Sequence, residues 1–137
     1  MRELLLSEPA DIPLRKHGLW EETCLEFFLA VDDVQPYWEV NLSPSGHWNV
    51  YRFSAYREGM QEEAAFTSLP FRVERGKESF LLDVDLPLDG IISPETPLVL
   101  GISAVIKLRS NEMTYWALSH PGQKPDFHRR ESFIARL

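Results

Sequence analysis

The run from Leu98 to Leu108 constrains the fold of this chain more than any other segment, because it alternates with a strict period of two. Leu98, Leu100, Ile102, Ala104, Ile106 and Leu108 fill one face. Val99, Gly101, Ser103, Val105 and Lys107 make the other, which is only partly polar. Apolar groups on both faces predict a central strand. Ser110-Asn111 then turns the chain into a partner strand over Met113 to Leu118.

Shorter runs repeat the pattern. Thr23 to Val31 is aromatic and aliphatic and ends at Asp32-Asp33, which suits a buried strand followed by a turn. Tyr37 to Ser43 sets Trp38, Val40 and Leu42 against Tyr37, Glu39 and Asn41. Pro44-Ser45-Gly46 connects it tightly to His47 to Phe53, since proline presets φ early in a turn and glycine supplies positive φ later. A second hairpin runs from Phe66 to Glu74 and back through Glu78 to Leu86 around Arg75-Gly76-Lys77. Ser132 to Leu137 predicts a closing strand, and helix is confined to Ala55 to Ala65 at most, where Tyr56-Arg57-Glu58-Gly59-Met60 reads as an irregular crossing or one helical turn. About eight strands with short turns predict an all-β, antiparallel β-sandwich of jelly-roll type with little helix. Residues 1–18 read as a lead-in, and residues 19–137 as a single domain; no internal repeat or low-complexity linker divides it.

At 137 residues the chain is long enough to bury a core without staples. Its net charge of −7 repels phosphate backbones, so nucleic acid is not an expected partner. The leading apolar run of three leucines falls short of the roughly 7–15 residues a secretory signal needs. The expectation is a cytoplasmic protein with no membrane association. The single cysteine, Cys24, excludes an internal disulfide and reads as a small buried hydrophobe.

Catalytic signatures are missing. No nucleophile-elbow glycines occur, no cysteine-protease context surrounds Cys24, and the seven glycines form no phosphate-cradling loop. His17, His47, His120 and His128 lack the spacing of a zinc helix, and His120 and His128 read as ordinary loop histidines. Glu26, Glu39, Asp83 and Asp85 are the carboxylates from which a glycosidase pair would be drawn; Asp83 and Asp85 read as a solvated face. The expectation is a non-catalytic binding module, the alternative being a structural or interaction domain whose aromatics are all core. Tryptophan stacks on the apolar face of a sugar ring while Glu, Asn and Arg fix its hydroxyls. Trp38, Trp48 and Trp116 read as core, whereas Trp20 stands in a polar stretch before the first strand.

Three blocks appear in one order: Leu19-Trp20-Glu21-Glu22-Thr23-Cys24-Leu25-Glu26-Phe27-Phe28, then Tyr37-Trp38-Glu39-Val40-Asn41-Leu42-Ser43-Pro44-Ser45-Gly46, then Pro125-Asp126-Phe127-His128 shortly before Phe133. That order resembles the DOMON-like group related to family 9 carbohydrate-binding modules, in which a tryptophan precedes a strand carrying a Glu and a later strand ends in apolar-Asn. Trp20, Glu26 and Asn41 match. The resemblance implies an antiparallel β-sandwich that clamps a small-molecule or oligosaccharide ligand. Trp20 would be one wall and Phe127 the other, with Glu26, Asn41, Glu39 and His128 as hydrogen-bonding partners. Where the sugar-binding modules place an arginine, this chain has Glu39. The wider group also implies an alternative, haem held between Met113 or Met60 and His120 or His128; otherwise no cofactor is expected, calcium being the remaining candidate at the acidic residues. Relatives carry strands ahead of the tryptophan block, which implies either a truncated start or an open sheet edge and hence a homodimer.

Overall fold

A computed structural model describes residues 4–120 and 122–137. They form nine strands: β1 (Cys24–Val31), β2 (Tyr37–Leu42), β3 (Trp48–Phe53), β4 (Gln61–Glu62), β5 (Phe71–Arg75), β6 (Phe80–Val84), β7 (Leu98–Lys107), β8 (Met113–Ala117) and β9 (Ala135–Arg136). One large antiparallel sheet runs β4-β3-β2-β1-β7-β8, with β9 pairing on β7, and the β5–β6 hairpin makes a second sheet. The fold is the expected all-β sandwich. The long alternating segment is indeed central, with β1 on one side and β8 and β9 on the other.

Both faces of the large sheet are covered over β1, β2 and β3, but by different things. On one face Leu29, Trp38, Val40, Leu42, Trp48 and Val50 pack against Phe66, Leu69 and Ile92, with Leu82, Val84, Leu86 and Leu88 from the hairpin and its flanks. On the other, Phe28, Ala30, Tyr37, Tyr51, Phe53, Val99 and Val105 meet Phe127 and Phe133, with Trp20 at the border. Every residue of β2 is therefore buried. Each large apolar side chain removed from water in this way contributes about 1.5–3 kcal/mol.

Two open points are decided and two expectations are corrected. Residues 56–60, readable as an irregular crossing or one helical turn, are the former: Arg57 has φ 53° and Gly59 φ 68°, and a side chain on Gly59 would strike Ser54, so the segment is an irregular turn leading into β4. On β7 the more polar face is the more buried, with Val99, Gly101, Ser103 and Val105 inside and Ile102 48% exposed. The hairpin layer reaches over β1, β2 and β3 but stops short of Ile102. For the same reason Trp116, which faces Ala104 across β7–β8, is 63% exposed and is not core. Finally, the closing strand shrinks to β9, because the Ser132 hydroxyl donates to the carbonyls of Phe127 and Arg129 and holds a 3₁₀ turn over Arg130–Ser132.

The lead-in is tied down rather than loose. Leu5 N–H donates to Lys107, Ala10 N–H to Ser45 and Lys16 N–H to Trp48, so it crosses one end of the large sheet. Arg15 anchors it, donating at 2.7 Å to Asn49 Oδ1, Phe66 O and Val50 O while its guanidinium lies 4.9 Å from the Trp48 ring.

Candidate functional site

Strand register sets the floor of the site. Ser103 on β7 faces Glu26 on β1, Glu26 faces Asn41 on β2, and Asn41 faces Asn49 on β3. Period-two alternation sends all four side chains to the same face of the sheet. All are buried: Ser103 is 7%, Glu26 6%, Asn41 0% and Asn49 0% exposed. Asn49 is fully used, donating to Lys16 O, Tyr51 Oη and Glu62 Oε2 and accepting from Arg15. Its neighbours are not. Among the described residues, both amide atoms of Asn41 and the Ser103 hydroxyl lack a hydrogen-bond partner, which is uncommon for polar groups at that depth. The next row, Gly101, Phe28, Glu39 and Tyr51, brings a second carboxylate, 4% exposed, onto the same face.

Above this floor lies a cavity of about 450 Å³, whose lining includes Trp20, Glu26, Glu39, Phe127 and His128. Five of the six sequence-predicted site residues thus meet in one place. Asn41, the sixth, lies beneath the cavity rather than on its surface. Trp20 rides on a 3₁₀ turn (Leu19–Glu21) entered through Gly18 at φ 79°, and stands edge-on to His17 and Tyr51 at 4.9 and 6.1 Å. Phe127 packs on His120 and Tyr115 instead and is 9% exposed. The two rings are therefore separate walls, each braced by its own neighbours.

Burial pushes the Glu26 carboxyl well above its ordinary value, and the charge on Glu39 pushes it further. Burial likewise pushes Glu39 up to about 7, against the pull of the nearby Asn41 amide and the Arg57 guanidinium. The Asn41 amide is near Glu39 but outside hydrogen-bonding geometry, so it remains unpaired. His128 is pulled down to about 4, by burial first and by Arg57 second, with Asp126 opposing. It is neutral at physiological pH. The Tyr37 hydroxyl accepts from Arg57 N–H at 3.1 Å and so donates to His128 Nδ1 at 2.9 Å, which leaves Nε2–H facing Glu39 Oε1 at 3.2 Å.

Residues the sequence reading missed complete the rim. Arg57, on the irregular turn after β3, pairs with Asp126 at 2.7 Å, and the Tyr56 hydroxyl donates to the same carboxylate. Burial works against the Asp126 charge, but these two partners outweigh it and hold the carboxyl below its usual range. His17, Phe53, Met60, Val105 and Tyr115 also line the cavity. No local pattern marks them, since they come together only through strand register and the return of the C-terminal segment. Asp83 and Asp85 are exposed on the hairpin side, away from this floor.

The donor set does not fit haem or calcium. Met60 and His128 share the cavity, but both ring nitrogens of His128 are engaged by Tyr37 and Glu39. Met113 and His120 are not part of its lining. Among the described residues no three His, Cys, Asp or Glu side chains converge on a point that would hold a metal ion.

Fold and cavity together define an antiparallel β-sandwich with a polar-floored, aromatic-walled pocket on its large sheet. No family model matches the chain, and no curated protein matches it. Its fold is similar to a crystal structure described as that of a "putative carbohydrate-binding protein" from Bacteroides uniformis ATCC 8492, with a TM-score of 0.64 and 14% sequence identity. The similarity covers 96% of this chain and 65% of that one, so this chain spans less than two thirds of that protein's length. At that identity the likeness is one of fold. Among the described residues no helix is long and apolar enough to cross a membrane.

Proposed function

We propose that this domain is a non-catalytic binding module for a small polyhydroxylated ligand of carbohydrate type. The observation that carries the reading is the buried polar row Ser103, Glu26, Asn41, with three of its atoms unpaired, beneath a cavity walled by Trp20, Tyr115 and Phe127. Sugar recognition asks for that combination: aromatic faces for ring C–H groups and fixed polar groups for hydroxyls. The similarity in fold to a protein described as carbohydrate-binding supports it, as does the order of Trp20, Glu26 and Asn41, which resembles DOMON-like domains and family 9 modules. The absence of a recognisable nucleophile or metal ligand set in the sequence favours binding over catalysis.

Tryptophan fluorescence during titration with mono- and oligosaccharides tests the reading. Saturable change in wild type, lost in Trp20→Ala, is expected; a panel of sugars that leaves wild type unchanged sinks it.

A further inference from the structure

Two carboxylates dominate the floor, and among the described residues no lysine or arginine forms an ion pair with either. Arg57 is the guanidinium on the lining, and it is committed to Asp126 at 2.7 Å. His128 meets Glu39 as a neutral imidazole. Glu26 and Glu39 are 6% and 4% exposed, yet both reach the cavity. Buried like charges oppose folding unless something neutralises them. Asn41, fully buried with both amide atoms unpaired, stands across from Glu26 and two residues beyond Glu39.

A neutral sugar hydroxyl brings one donor and no charge. A primary ammonium brings three donors and a positive charge. The two carboxylates are acceptors on one face of the sheet and both reach the cavity, with Asn41 buried beneath them. A metal ion would need a converging ligand cage, which these side chains do not form.

Resting on the carbohydrate reading above, we infer that the ligand is an amino sugar whose protonated primary amine sits over Glu26 and Glu39 while its ring lies between the Trp20 and Phe127 walls. The ammonium takes the place of the proton that the buried carboxyls hold in the empty site, and the aromatic walls select a ring over an open-chain amine. The same geometry disfavours acidic sugars, because a third carboxylate would meet two buried ones.

Titration calorimetry of the intact chain with glucosamine, galactosamine, N-acetylglucosamine and glucose near neutral pH tests this. Amino sugars are expected to bind on the order of tenfold tighter than the acetylated or neutral sugars, a difference of about 1.4 kcal/mol. Glu26→Gln and Glu39→Gln, isosteric changes that remove a buried charge, are expected to bring the ratio close to one. Neutral sugars that bind as tightly as amino sugars overturn the inference and leave the carbohydrate reading standing. No binding by any of the four overturns both. If either variant fails to fold, the wild-type ratio alone decides.

Discussion

His128 Nε2 lies 3.2 Å from Glu39 Oε1 while Nδ1 lies 2.9 Å from the Tyr37 hydroxyl, so the imidazole is held as a neutral bridge between β2 and the C-terminal segment. Its folded pKa near 4 lies below the ordinary 6.5. The unfolded chain therefore takes up a proton as pH falls through 6.5, and the folded chain does so only near 4. The contribution of His128 is complete above pH 6.5 and is lost between 6.5 and 4, amounting to about 3 kcal/mol. Urea unfolding of wild type and His128→Gln across that range should show a difference curve with this shape. Arg57, Asp126 and Glu39 face the ring in both proteins except for their contact with it, so a flat difference counts against a depressed pKa.

Glu39 acts with the opposite sign. Its folded pKa of about 7 exceeds the ordinary 4.5, so the folded chain holds the extra proton and stability falls as pH rises from 4.5 to 7. Glu39→Gln should be more stable than wild type above neutral pH, by about 3 kcal/mol, and nearly equal to it below pH 4.5. Glu26 continues the loss toward higher pH, since burial and Glu39 raise its carboxyl as well. A binding floor that opposes folding is the usual trade between site and stability. A Glu39→Gln variant that is less stable at every pH would show that the charge is compensated.

Strands were legible wherever one face is apolar, as in Trp38, Val40 and Leu42, because alternation reports burial directly. Alternation does not report which layer covers which face. That is why Trp116 read as core although the β5–β6 hairpin never reaches it, and why alternation alone did not tell that Ile102 lies on the more exposed side of β7 and Ser103 on the more buried one. Glu26, Asn41 and Glu39 stood out through the order of motifs that follows Trp20, since alternation alone put Glu39 and Asn41 on the polar face of a half-buried strand. Arg57, Asp126 and Tyr115 did not, since each is an ordinary surface residue until register and chain return bring it to the cavity.

The four tryptophans should quench unequally. Trp116 is 63% exposed, with its indole N–H bonded to Thr114 Oγ1, while Trp38 and Trp48 are 7% and 3% exposed. Acrylamide should therefore act mainly on Trp116, and Trp116→Phe should remove most of the accessible emission. The residual accessible signal then belongs to half-buried Trp20 and should be shielded by any ligand that fills the cavity. Equal quenching of all four would mean that the uncovered face of β7–β8 is covered in solution.

Gly101 links the strand core to the site. It faces Phe28 across β1–β7, and a Cβ there would lie 2.9 Å from Phe133 Cδ1 and 3.4 Å from Ser132 O. Phe133 uses that space to stack on Phe28, with centroids 5.7 Å apart, and its position brings Phe127 and His128 back over the sheet. Gly101→Ala overfills the gap, so either Phe133 moves or the strand does. The expected loss of stability is about 1–3 kcal/mol by urea unfolding. Ligand affinity should fall as well, although Gly101 is not on the cavity lining, because the displaced segment carries one aromatic wall and the partner of Glu39. Ile102→Ala, at the adjacent half-exposed position, should change both quantities far less. If Gly101→Ala lowers stability and leaves affinity untouched, the C-terminal segment is not what shapes the site.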